Sequence, residues 1–142
     1  MGPIVGYVPG VFDLFHIGHL NALRQARTLC DVLVAGVVSD EVCEQTKGFL
    51  PTVPFVERIE IVDAIGIVDA TFAEVTADKE DAWREVGFHK LVKGDDWQGT
   101  PKGRALEATM SRLGVEVVFI PYTLQTSSTA LRAALARAGQ AS

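Results

Sequence analysis

Apolar residues follow two rhythms along this chain. Residues 4–8 form a short apolar run that stops at Pro9-Gly10, the pattern of a buried strand and a sharp turn. From residue 18 to 29 the spacing changes, and Leu20, Leu23, Ala26 and Leu29 recur at helical intervals. Residues 32–38 are continuously apolar and β-rich, as a strand covered on both faces requires. Strand, helix and strand in so short a stretch predict a right-handed parallel β-α-β unit.

The alternation continues. Residues 39–53 read as a loop carrying Lys47-Gly48 and Pro51, and Pro54 suits the first position of a helix. That helix would turn Val56, Ile59, Val62 and Ile65 toward the core. Residues 70–75 predict a short strand, 79–86 a helix, and 90–93 a strand ending in Gly94-Asp95-Asp96-Trp97. A helix over 101–113, a strand over 115–120 and a closing helix over 128–138, capped by Gly139, complete the series. No repeat, linker or low-complexity segment interrupts it. The expectation is a single domain over residues 1–142, of the α/β class. Its core is a doubly wound, Rossmann-like parallel sheet of about five strands with helices on both faces. Ligands of such sheets collect at the carboxyl ends of the strands.

Composition narrows the functional classes. With 13 basic and 18 acidic residues among 142, the net charge of −5 argues against nonspecific binding to nucleic acid or to an anionic membrane. It leaves room for a local basic pocket. The N-terminus lacks the basic start and apolar stretch of a signal peptide, and no apolar run approaches the ~18 residues of a membrane span. Cys30 and Cys43 follow no metal or redox spacing, so free thiols in a cytoplasmic protein are expected.

Candidate chemistry concentrates at Gly10-Val11-Phe12-Asp13-Leu14-Phe15-His16-Ile17-Gly18-His19, where two of the chain's three histidines fall together. The segment joins a strand to a helix, at the predicted ligand-binding end. Gly10 permits close approach of backbone to ligand, and a helix N-terminus favours phosphate. His16 and His19, three apart, can share one side of the first helical turn and grip phosphates through their N–H groups. Gly18 leaves room for a nucleoside. Two incidental polar residues at a helix start are the plain alternative, and the H-x-G-H spacing after a glycine turn outweighs it. A shared metal ion is a further alternative, ranked lower because only Asp13 stands nearby as a ligand.

These residues, followed by Leu23-Arg24-Gln25-Ala26-Arg27 and the run to Glu41, resemble the cytidylyltransferase family of the H-x-G-H nucleotidyltransferase superfamily. Residues 23–27 are similar to ethanolamine-phosphate cytidylyltransferases. The overall length and Lys93-Gly94-Asp95-Asp96-Trp97 are similar to bacterial glycerol-3-phosphate cytidylyltransferases. The likeness covers residues 4 to about 135.

The resemblance implies transfer of CMP from CTP to a phosphorylated alcohol, giving a CDP-alcohol and pyrophosphate, with Mg²⁺ as cofactor. It implies that His16 and His19 stabilise charge on the triphosphate. Gly10, Val11 and Phe12 would offer backbone to the phosphates, and Gly18 would face the nucleotide ring. Asp13 would orient neighbours or help to hold the metal. Lys47 would reach over the triphosphate from a mobile loop, and Arg58 would contact phosphates. Lys93, Asp95, Asp96 and Trp97 would surround the base and ribose. Thr123, Ser128 and Thr129 would meet the β- and γ-phosphates, with Ser128 or Thr129 equally suited to cap the last helix. A homodimer is also implied, with the H-x-G-H region near the subunit boundary.

The pattern breaks in places. Tyr122 stands where the family has arginine, Gln125 where it has glycine, and Gly66 where it has a second cation. A tryptophan of the bacterial enzymes is absent around Ala77 and Asp78. The acceptor is therefore left open. An adenylyltransferase using ATP, or a noncatalytic nucleotide-binding module, are the rival expectations. A class I aminoacyl-tRNA synthetase is set aside, because the chain has neither a lysine-rich signature loop nor room for a tRNA-binding domain.

Overall fold

The chain weaves five parallel strands, β1 (Val5–Gly10), β2 (Val32–Val38), β3 (Ala70–Glu74), β4 (Lys90–Gly94) and β5 (Glu116–Ile120), into one sheet. The description rests on a computed structural model covering residues 2–121 and 127–141. Strand order is β3-β2-β1-β4-β5. The chain moves outward from β1 to β3, then returns to the other side of β1 for β4 and β5. The reversal opens a crevice above the carboxyl ends of β1 and β4.

Among the described residues, six α-helices cover the sheet: α1 (Ile17–Arg27), α2 (Asp40–Lys47), α3 (Phe55–Asp63), α4 (Lys79–Val86), α5 (Pro101–Arg112) and α6 (Ser128–Ala141). Alternate strand residues feed two cores. Val8, Leu33, Ala35, Val37, Val92 and Ile120 pack with Leu23 and Ala26 of α1 and Val62 of α3. Tyr7, Val34 and Leu91 pack with Ala82 of α4 and Leu106 and Met110 of α5. Burial on both faces explains why β1 and β2 read as unbroken apolar runs.

Tyr7 carries a hydroxyl into this second core and donates it to the buried carboxylate of Glu74. Burial, then the neighbouring Glu74 charge, pushes the phenol far above its ordinary pKa. Room for the ring exists only because position 36 is glycine. A Cβ there would stand 1.9 Å from the Tyr7 oxygen.

Three local expectations change. Residues 39–53 are not all loop, because α2 occupies Asp40–Lys47. Ser39 caps it by accepting the Val42 amide at 3.2 Å, and Gly48 ends it at φ 80°. In α3, Pro54 is the N-cap rather than the first helical residue, so Phe55, Arg58, Ile59 and Val62 turn inward. Val56 is 68% exposed. Gly139 lies inside α6 rather than capping it. Among the described residues, no helix is long and apolar enough to cross a membrane.

Candidate active site

The loop from β1 to α1 is bent by two non-glycine residues in left-handed conformation, Phe12 at φ 55° and Leu14 at φ 51°. Such conformations persist only where surroundings impose them. Asp13, between the two, supplies that hold. Its carboxylate accepts the Thr52 and Val53 amides at 2.9 Å each and pairs with the Arg132 guanidinium at 3.1 Å. Burial alone would raise the Asp13 pKa, but the two amides and Arg132 keep it below the ordinary carboxylate value. One acidic side chain thus ties the histidine loop to residues 52–53 and to α6.

Helix α1 is capped by histidines. His16 is the N-cap, and its Nδ1 accepts the Gly18 amide at 3.0 Å. His19, at the third helical position, reciprocates by accepting the His16 amide on Nδ1 at 3.2 Å. This is a capping box in which imidazoles replace the usual hydroxyl and carboxylate. With Nδ1 accepting, each neutral ring must carry its proton on Nε2. The two rings lie with centroids 4.0 Å apart and planes tilted by 33°, and Phe12 and Phe15 enclose His19.

Burial lowers the pKa of His16. Burial first, then the neighbouring His16 and Lys47 charges, lowers His19 to about 4, with Asp13 opposing. At neutral pH both rings are uncharged Nε2–H donors.

The start of α6 meets this pair. Ser127 caps the helix by accepting the Ala130 amide at 3.0 Å, so the cap is neither Ser128 nor Thr129. Ser128 is freed for other work. Its hydroxyl donates to the Asp13 carbonyl at 2.6 Å, and its oxygen lies 3.3 Å from His16 Nε2, placed to accept that proton. First-turn amides and the helix dipole make this end of α6 attractive to phosphate.

These groups border a cavity of about 340 Å³ at the carboxyl ends of β1 and β4. Of the expected site residues, Gly10, Val11, Phe12, Asp13, His16, Gly18 and His19 line it from the first loop and helix. Lys47 lines it from the end of α2, and Lys93, Asp96 and Trp97 from the end of β4 and the 3-10 turn after it. Ser128 and Thr129 complete the set from α6. Asp95 is not part of the lining. Thr123, with Tyr122 and Gln125, lies outside the described residues.

Arg58 is a correction. Instead of facing phosphate, its guanidinium is 1% exposed and donates within the fold. Nε reaches the Val53 carbonyl at 2.8 Å, and Nη1 reaches the Val11 and Val38 carbonyls at 2.6 and 2.8 Å. Nη2 pairs with Asp40 at 2.6 Å. It clamps the ends of β1 and β2 to α2 and to the segment before α3. Asp13 is the second correction. With three partners already on its two oxygens, it does not fit the part of a magnesium ligand. Among the described residues, no cluster of three His, Cys, Asp or Glu side chains could hold a metal.

Sequence reasoning missed Arg132 and Phe49. Arg132 lines the cavity, pairs with Asp13 and lies 4.6 Å above the centre of the Phe49 ring. A signal existed, because Arg132 follows Ser128 by one helical turn and shares its face. Phe49 carried none, standing in a stretch with no periodicity.

Known proteins agree with this architecture. The profile of the family described as cytidylyltransferase-like matches residues 7–134. Ethanolamine-phosphate cytidylyltransferase of Arabidopsis thaliana is 38% identical over 117 residues, covering 79% of this chain but 28% of the plant protein. FAD synthase of Thermococcus sibiricus is 30% identical over 118 residues, 82% of this chain and 80% of the archaeal one. Among solved structures, a lipopolysaccharide core biosynthesis protein from Thermoplasma volcanium superimposes with a TM-score of 0.73 at 23% identity, over 88% of this chain and all of that one. With a profile that spans nearly all of the sheet and the whole histidine loop, the chain belongs to the cytidylyltransferase-like family.

Proposed function

We propose that this protein transfers CMP from CTP to a phosphorylated alcohol and releases pyrophosphate. The observation that carries the reading is the pair of neutral histidines, each fixed as an Nε2–H donor by a backbone amide on Nδ1, at the wall of the cavity. A phosphate oxygen of the acceptor attacks the α-phosphorus in line. The new P–O bond forms as the bond to the bridging oxygen breaks, and that oxygen leaves with the β- and γ-phosphates. No covalent enzyme intermediate is required, so positioning and charge stabilisation supply the acceleration. His16 and His19 donate to oxygens that gain charge, and the Lys47 ammonium follows the charge onto the leaving pyrophosphate. Magnesium enters as part of the nucleotide substrate, Mg·CTP.

A second reading, adenylyl transfer from ATP, is favoured by the FAD synthase relative, which this chain matches over most of its length. Thermal-shift titrations with Mg·CTP and Mg·ATP separate the two, since the true donor raises Tm and the other leaves it unchanged. Pyrophosphate release is then measured with a panel of phosphorylated alcohols. Stabilisation by ATP alone would sink the cytidylyl reading, and nucleotide binding without turnover on any acceptor would leave a binding module. The homodimer is part of the same proposal. Ile17, in the histidine loop, is 48% exposed and suits a subunit contact, and a clean monomer by light scattering at micromolar concentration would rule it out.

A further inference from the structure

The β4 side of the cavity carries a cation that the scheme above does not use. Lys93 lines the cavity with its ammonium 4.3 Å from the centre of the Trp97 ring. Among the described residues, no carboxylate lies within ion-pairing distance of it. The buried carboxylate in its neighbourhood, Glu74, is already committed. One oxygen takes the Tyr7 hydroxyl and the other takes Lys79 Nζ at 2.5 Å. Burial first, then the charges of Lys79 and Lys47, lowers the Lys93 pKa to about 8, with Glu74 and Asp96 only partly opposing. A half-buried ammonium whose near partner among the described residues is a ring face is a receptor for an anion that those residues do not supply.

The triphosphate is not that anion's natural source. Apart from Lys47, the groups expected to hold it, His16, His19 and Ser128, come from α1, its preceding loop and α6. Lys47 bridges the two regions, since its charge acts on both His19 and Lys93. The resemblance expects cations at the positions of Tyr122 and Gly66, and neither residue can supply one to the acceptor's phosphate. We propose that Lys93, helped by Lys47, receives the phosphate of the acceptor, a phosphate monoester whose organic part lies along Trp97. This inference rests on the nucleotidyl-transfer reading, and it moves Lys93 and Trp97 from the base and ribose, where the resemblance puts them, to the acceptor.

The test is calorimetric. O-phosphoethanolamine and glycerol 3-phosphate are each titrated into protein loaded with α,β-methylene-CTP, a donor that cannot react. At least one ester binds the wild type, and Lys93→Met weakens it by about tenfold or more, the effect of losing a charged hydrogen bond. Affinity for the methylene analogue stays within about twofold, and Lys93→Arg recovers most of the ester affinity. Urea midpoints of both variants confirm the fold. The proposal is overturned if neither ester binds, if Lys93→Met leaves ester binding unchanged, or if it weakens the nucleotide instead. Failure of the underlying reading is distinguishable, because the wild type then releases no pyrophosphate with CTP. A wild type that turns over while Lys93→Met keeps the same acceptor KM removes this inference alone.

Discussion

Replacing Arg58 by methionine separates a clamp from a phosphate receptor. Methionine preserves much of the side chain's length and apolar stem but removes four donated hydrogen bonds. Asp40, 31% exposed at its side chain, recovers hydration and loses little. The Val38 carbonyl is buried with its Arg58 bond, and each orphaned buried acceptor costs about 1–3 kcal/mol. The Val11 and Val53 carbonyls lose partners in half-buried positions where water can partly replace them. The sum, allowing for that water, is about 3–5 kcal/mol, in line with breaking a buried ion pair from one side. For a domain of this size that corresponds to a Tm lower by roughly 10–15 °C. Urea and thermal unfolding followed by far-UV circular dichroism read the loss directly. Calorimetry on the folded variant at low temperature then gives CTP affinity within about threefold of wild type. A variant of unchanged stability that binds CTP more than about tenfold worse would refute the clamp and restore Arg58 as a phosphate contact.

Other consequences follow from the same contacts. The histidine pair makes stability depend on acid: both pKa values are lower in the folded protein than the ordinary 6.5, so the unfolded chain takes up protons first. Their contribution is complete above about pH 7 and is lost as pH falls from about 6.5 toward 4. His19 accounts for at most about 3 kcal/mol of it, and urea midpoints across that range check the slope. His19→Asn flattens the slope; an unaltered slope would contradict the capping tautomer. Gly36→Ala drives a methyl into the Tyr7 hydroxyl and costs about 1–3 kcal/mol by denaturant unfolding, whereas Gly36→Ala with Tyr7→Phe recovers part of it. His16→Ala lowers kcat about 10²–10³-fold, the scale of losing one preorganised donor, with a smaller effect on nucleotide affinity in calorimetry.

The sheet was legible because burial on both faces writes strands as unbroken apolar runs, as at Val32–Val38. Helix α2 was not, because its eight residues are mostly polar and only Val42 and Cys43 are buried. In α3 the apolar stripe was misaligned because Val56 is apolar yet exposed, while the inward position is taken by a charged residue, Arg58. Hydrophobic periodicity cannot identify a buried arginine, whose place is set by carbonyls distant in sequence. The site divides the same way. The cavity positions of His16, His19 and Lys47 were readable from spacing and likeness, since one loop and one helix end place them. The roles of Asp13 and Arg132 arise from a contact across 119 residues of chain, which no local pattern encodes.

The fate of the nucleotide's α-phosphorus decides between transfer and mere binding. CTP labelled with ³²P at the α-position, incubated with magnesium, the protein and a panel of phosphorylated alcohols, should yield label in a CDP-alcohol together with unlabelled pyrophosphate, and the double variant His16→Ala/His19→Ala should yield almost none. Label that remains in CTP with every acceptor, or transfer that survives loss of both histidines at the wild-type rate, would contradict histidine-assisted transfer.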